Sequence, residues 1–157
     1  MQQQHISQFN IIGIAVRTTN ANGQSGIDIE ALWDKFWNGE IHHQIPNKVD
    51  NDIYAVYTDY ETDYTGAYTT IIGGSVSSLE QIPDGFVGIS IEANQYENFI
   101  SKGKMPEAIF NTWIEIWEDE ALHSRRAYHA DFTIHGEKYY LGDQAEVSTF
   151  ISVKPQT

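Results

Sequence analysis

The sequence predicts an α+β fold, in which a duplicated β-α-β-β unit forms one large antiparallel sheet with two helices on one face and a groove between them. Three observations predict it. First, Leu32-Trp33-Asp34-Lys35-Phe36-Trp37 recurs in altered form as Thr112-Trp113-Ile114-Glu115-Ile116-Trp117, and the two hexapeptides hold all four tryptophans. Second, strand-like runs follow each hexapeptide at matching distances. Trp33 and Trp113 are 80 residues apart, 53–57 lies over 131–135 at a shift of 78, and 68–72 over 147–151 at 79. Third, one β-α-β-β half covers its own sheet poorly, whereas two halves can pair their edges. The repeats span about 6–78 and 84–155 of a single domain, 1–157.

Residues 9–17, Phe-Asn-Ile-Ile-Gly-Ile-Ala-Val-Arg, are β-branched and bounded by polar residues, as in a strand. A polar Asn/Gly/Ser loop follows over 18–26. Asp28 is placed to cap a helix over 29–38, with Gly39 just past its end. Ile29, Leu32, Trp33, Phe36 and Trp37 are its apolar residues at helical spacing. A loop with Pro46 covers 40–52, and the aromatic run 53–60 is the second strand. After an acidic turn over 61–66, a third strand over 68–72 runs into Gly73-Gly74, where a bulge or a close backbone approach is expected. A connector over 77–85 contains Pro83. The second half repeats the order, with a strand over 86–92 and an irregular stretch over 94–104. Pro106 and Glu107 suit the first turn of a helix that runs to about Glu120. That helix buries Ile109, Phe110, Trp113, Ile116 and Trp117. A strand over 128–135, a turn over 136–144 and a strand over 147–153, stopped by Pro155, complete the chain.

Composition narrows the function. Twenty-two acids against nine Lys and Arg give a formal net charge of −13. Such a surface repels phosphate backbones and anionic membranes, so no direct nucleic-acid or membrane binding is expected. The acidity serves solubility or draws cationic partners. There is no cysteine, hence no disulfide and no thiolate metal site. The N-terminus carries no signal-peptide pattern, and no run approaches 18 apolar residues, so the expected location is the cytoplasm.

A Trp pair at i, i+4 lies on one face of a helix. Each Trp has two readings, core packing or a wall of the groove. Four tryptophans exceed what two short helices need for packing, and Trp is rarely fully buried. The groove then takes a flat apolar ligand, with cation–π attraction added if the ligand is cationic. Trp33, Trp37, Trp113 and Trp117 are the candidate walls. Tyr57, Thr133, His135 and Phe150 are the candidate floor, and Glu146 the candidate counter-charge.

Val56-Tyr57-Thr58-Asp59-Tyr60-Glu61, followed by Asp63-Tyr64-Thr65-Gly66, Tyr68-Thr69 and Ile72-Gly73, resembles the middle of effector-binding proteins of the gyrase-inhibitor-like group. The stand-alone members found in integron gene cassettes resemble it most. Lys102-Gly103, Pro106, Trp113, Trp117, Asp131-Phe132 and Ile151-Ser152-Val153-Lys154-Pro155 keep that family's order through the second half. The resemblance implies a stand-alone small-molecule binding protein for flat hydrophobic, cationic compounds. In AraC-type and MerR-type regulators the same domain is fused to a DNA-binding domain and senses small molecules. Two alternatives stay open: a hydrolase of strained-ring toxins, as in one branch of the family, and an interaction module that joins a separate regulator in trans. Cation-binding relatives often carry a Glu directly after the aromatic residue of the seventh strand. Here Thr133 follows Phe132, and the matching residue of the first half is Ala55. Glu146, Asp59 and Glu61 are the candidates to replace that carboxylate.

No other constellation competes. His123, His129 and His135 are six apart, which fits no helical or zinc-finger spacing, so no metal is expected. His135 shares a strand face with Thr133 and can hydrogen-bond a ligand. Neither a G-x-S-x-G elbow nor a phosphate-binding glycine loop is present, and no cofactor or catalytic residue is assigned.

Overall fold

The computed structural model describes residues 2–63 and 65–154, so Tyr64 and Pro155 lie outside the described residues. Eight strands form one curled antiparallel sheet in the order β1-β6-β8-β7-β3-β4-β2-β5. They are β1 (Gln2–Ile6), β2 (Phe9–Thr19), β3 (Ile53–Thr58), β4 (Ala67–Val76), β5 (Val87–Ile91), β6 (Asn94–Lys102), β7 (Ala130–His135) and β8 (Glu146–Val153). Helices α1 (Gln24–Asn38), α2 (Ile41–Gln44), α3 (Glu107–Glu118) and α4 (Glu120–Arg125) complete the regular structure. The fold is the predicted class, a mixed sheet-and-helix domain with both long helices on one face.

From the centre outward the strands run β3, β4, β2, β5 on one side and β7, β8, β6, β1 on the other. This order corrects one pairing of the sequence reading. The second-half counterpart of β2 is β6, the stretch read as irregular, and not β5. The counterpart of β5 is β1, which the sequence did not suggest as a strand. Each error has its own cause. β1 is an edge strand of glutamines joined to β6 by backbone pairing, from Gln2 opposite Asn98 to Ile6 opposite Asn94. The alternation of β6 is hidden because two of its helix-facing positions are polar and are satisfied from the helices. Glu97 receives a bidentate bond from Arg125 at 2.8 and 3.0 Å, and Ser101 shares a 2.5 Å bond with Thr112.

Helix α1 starts five residues before the predicted first turn. Gly23, in the left-handed region at φ 70°, precedes it. Asp28 therefore sits inside the helix and is no cap; it accepts from Gln24 Nε2 at 2.9 Å. Helix α3 ends sooner than expected, at Glu118. Asp119 breaks the helix and caps α4, accepting from Leu122 N–H at 3.0 Å. The glycines of β4 form no bulge. Gly73 faces Gly13 across the β2–β4 ladder, and a Cβ at Gly73 would stand 2.1 Å from the Ile12 carbonyl oxygen. The close approach alone explains the pair.

Strand pleating separates two cores. On the helix side, Leu32 and Phe36 of α1 pack against Ile14, Ile53 and Ile72. Ile116 of α3 and Leu122 of α4 pack against Ile151 and Phe99. On the opposite face the curl closes over Ile11, Tyr54, Val56, Tyr96, Phe132 and Phe150. The two cores pin each helix to its own half of the sheet. The middle, above β3 and β7, is left uncovered by side chains from either helix core.

Candidate functional site

Over that middle lies a cavity of about 800 Å³, between α1 and α3. Each helix turns two rows inward. Leu32 and Phe36, with Thr112 and Ile116, point down and are buried. The neighbouring rows, Ile29-Trp33-Trp37 and Ile109-Trp113-Trp117, border the cavity. The spacing of four in each row is the helical repeat. Trp37 is 50% exposed and the sheet-facing Phe36 only 1%, so the tryptophan row is not the one that seats the helix.

Within each row the tryptophans form pairs, Trp33 with Trp37 at 6.0 Å and Trp113 with Trp117 at 6.1 Å between ring centroids. Each inner Trp leans on a floor ring from the opposite half. Trp33 of α1 meets His135 of β7 at 5.1 Å, and Trp113 of α3 meets Tyr57 of β3 at 5.2 Å. Tyr57 and His135 are also the residues that superpose at the 78-residue shift. The two contacts thus occupy corresponding places on the two sides of the groove.

The floor is neutral. Thr133 Oγ1 lies 2.9 Å from His135 Nε2, and the Tyr57 hydroxyl also bonds Thr133. Burial lowers the His135 pKa to about 4, so its imidazole is uncharged near neutrality. Burial raises Tyr57, and burial with the nearby Asp131 carboxylate raises Tyr60 well above a free phenol. Carboxylates occur only at the mouth among the described residues bordering the cavity, as Glu30, Asp34 and Glu107, all exposed.

Seven of the nine predicted site residues border this cavity: Trp33, Trp37, Tyr57, Trp113, Trp117, Thr133 and His135. Phe150 and Glu146 do not. Thr133 pairs with Thr149, so Thr149 shares the floor face and Phe150 points away, stacked on Phe132 at 5.0 Å. Glu146 has the same parity as Phe150, and its carboxylate pairs with Lys102 at 3.6 Å and Lys138 at 3.4 Å. It is no counter-charge for this cavity. The other acidic candidates also face elsewhere: Asp59 pairs with Arg17 at 3.3 Å, and Glu61 is exposed. Sequence reasoning missed Tyr68, Tyr139, Tyr140 and Arg126, all of which border the cavity. Tyr139 lies tilted against His135 at 5.1 Å, on a short 3-10 turn, Glu137–Tyr140, inside the stretch read as a plain turn. Ile29 and Ile109 were legible, since each stands one helical turn before a wall Trp.

A curled sheet carrying two helices, with an aromatic cavity between them, is the architecture of an effector-binding module related to the ligand-binding domains of transcription regulators. The chain belongs to the integron-associated effector-binding protein family, whose model matches residues 5–153. It is 28% identical over 153 residues to YobU of Bacillus subtilis strain 168, described as a candidate transcriptional regulator, over 96% of this chain and 95% of that one. Among solved structures it is similar to an integron cassette protein from the mobile metagenome of Vibrio cholerae, at 29% identity and a TM-score of 0.75, over 98% of this chain and 95% of that one. SAV2435, solved bound to tetraphenylphosphonium, matches with a TM-score of 0.81 over 98% of this chain and 93% of that one. At 16% identity that likeness speaks for the fold alone. No described helix is long and apolar enough to cross a membrane.

Proposed function

We propose that the protein is a binding module for hydrophobic aromatic cations, held between the tryptophan rows of α1 and α3. The observation that carries this reading is the pair of facing rows, Trp33-Trp37 and Trp113-Trp117, on one cavity. A volume of about 800 Å³ suits a drug-sized ligand. Aromatic faces attract a cation by about 0.5–2 kcal/mol for each well-placed ring, most where water is excluded. A delocalised cation needs such faces more than it needs an ion pair, which accords with a floor that holds Thr133 and no carboxylate. The acids at the mouth and the net charge of −13 concentrate cations at the entrance. The binding of tetraphenylphosphonium by a protein of the same fold agrees with this ligand class.

The test is quenching of intrinsic tryptophan fluorescence by tetraphenylphosphonium and by cationic rhodamine-type dyes. Saturable quenching at micromolar ligand is expected, because all four tryptophans border the cavity. If neither compound quenches at tens of micromolar, or if neutral analogues of equal size bind as tightly, the cation reading fails.

A further inference from the structure

One charged group at this cavity plays no part in the reading above. Arg126 borders it at the Asp131 end of β7, about 13 Å along the strand from His135. It is 1% exposed. Its Nη2 donates to Asp131 Oδ2 at 2.6 Å. Asp131 is fully engaged elsewhere: the Tyr60 hydroxyl donates to the same oxygen at 2.5 Å, and the Ser152 N–H and O–H reach Oδ1 at 2.8 and 3.1 Å. Arg126 Nε and Nη1 are buried and find no acceptor among the described residues. The rings beside them, Tyr128 at 4.3 Å and Tyr60 at 6.0 Å from the guanidinium carbon, offer π-faces. Buried N–H groups of a charged side chain are rarely left in this state, because desolvation penalises them heavily. A cavity wall is where a ligand can supply what the protein does not.

We propose that Arg126 is the polar anchor of the cavity and takes a carboxylate of the ligand on Nε and Nη1. This rests on the reading that the ligand lies between the tryptophan rows, and it narrows the ligand class. A simple anion is disfavoured by the acidic mouth and the net charge of −13. The fitting molecule is a zwitterion: an aromatic cationic body between the tryptophans, with a carboxylate projecting toward Arg126. A planar guanidinium fork matches a carboxylate in shape as well as charge.

The experiment compares two dyes that differ only at this group, a cationic rhodamine with a free carboxylate and its methyl ester. Both are titrated by fluorescence anisotropy and tryptophan quenching near neutral pH. The wild type is expected to bind the free acid about tenfold tighter, the size of one charge-assisted hydrogen-bonded contact. In Arg126→Gln that ratio is expected to collapse toward one. Arg126→Lys keeps a positive charge beside Asp131 and replaces the Gln variant if the latter does not fold; it should shrink the ratio. Equal binding of the two dyes by the wild type, or tighter binding of the ester, overturns the proposal and leaves the cation reading standing. An unchanged ratio in a folded Arg126 variant overturns the assignment of Arg126. If neither dye binds, the cation reading itself falls and the anchor with it.

Discussion

Acid should destabilise this protein through one residue in particular, His135. Its imidazole is 9% exposed, wedged between Trp33 and Tyr139 at 5.1 Å each, and bonded to Thr133 at 2.9 Å. Burial lowers its pKa to about 4. The unfolded chain takes up the same proton near the ordinary value of 6.5. Above that value neither state is charged, and His135 adds no pH dependence. As pH falls below it, the unfolded state binds a proton that the folded state refuses, so stability drops until the folded histidine also titrates. At about 1.4 kcal/mol per tenfold, the loss is about 2 kcal/mol at pH 5 and about 3 kcal/mol near pH 4. The carboxylates titrate in the same range, so the assay is a difference. Urea unfolding of wild type and His135→Phe is followed from about pH 7 to about pH 4. Phe keeps a ring against Trp33 and Tyr139 but cannot take up the proton. The wild type should lose about 2–3 kcal/mol more than the variant over this range. Parallel pH profiles would refute the reasoning, since they would mean that His135 is hydrated and free to protonate in the folded state.

Four further outcomes test the core, the backbone packing and the site. Phe36→Ala should cost about 3–5 kcal/mol of stability, because Phe36 is 1% exposed beneath α1. Trp37→Ala should leave stability within about 1 kcal/mol and instead raise the Kd for cationic dye several-fold, as read by chemical unfolding and dye titration on the same samples. Gly73→Ala should destabilise by more than about 1–3 kcal/mol in urea, because its Cβ meets a backbone oxygen, whereas Gly26→Ala, with open space around it, should stabilise α1 by about 0.5–1 kcal/mol. Raising ionic strength should weaken binding of a cationic dye, and Asp34→Asn should remove part of that salt dependence in fluorescence titrations, because Asp34 is an exposed acid at the mouth.

What the sequence could convey depended on how many readings each pattern allowed. Trp33-Trp37 and Trp113-Trp117 located both helices and the groove between them. They could not fix the rotation of either helix, because the row that seats it and the row that lines the cavity are both apolar with the same spacing. Only the sheet decides, by presenting Ile14, Ile53 and Ile72 to Leu32 and Phe36. Strand parity failed at β8 for a related reason. Thr149 and Phe150 are both fully or nearly buried, since the curled sheet has a core on each side, so no polar face marks the register. β6 was illegible because Glu97 and Ser101 are polar in sequence yet buried in pairs with Arg125 and Thr112. Arg126 gave no signal at all. An Arg-Arg pair ordinarily faces water, and the Asp131 that draws one of the two inward stands on a strand whose start was misplaced at Tyr128.

The absence of a carboxylate beside Thr133 changes what kind of selectivity the cavity can exercise. A buried Glu on the floor would favour cations strongly and would make affinity depend on its own ionisation. Here the floor groups hold their neutral forms together: burial lowers His135 to about 4 and raises Tyr57 and Tyr60 above the ordinary phenol range. No floor residue changes charge between about pH 5 and pH 10. If ligands bind here as proposed, discrimination falls to ring contact within the cavity, to the acids at its mouth, and to the Arg126–Asp131 pair. These three act on different properties of a ligand. On the proposed reading the rings select area and diffuse positive charge, the acids at the mouth raise the rate of arrival, and the buried pair sets the orientation of the ligand. A shape-tolerant aromatic slot with one directional group at its end can accept many ligand bodies while still imposing a single orientation on each.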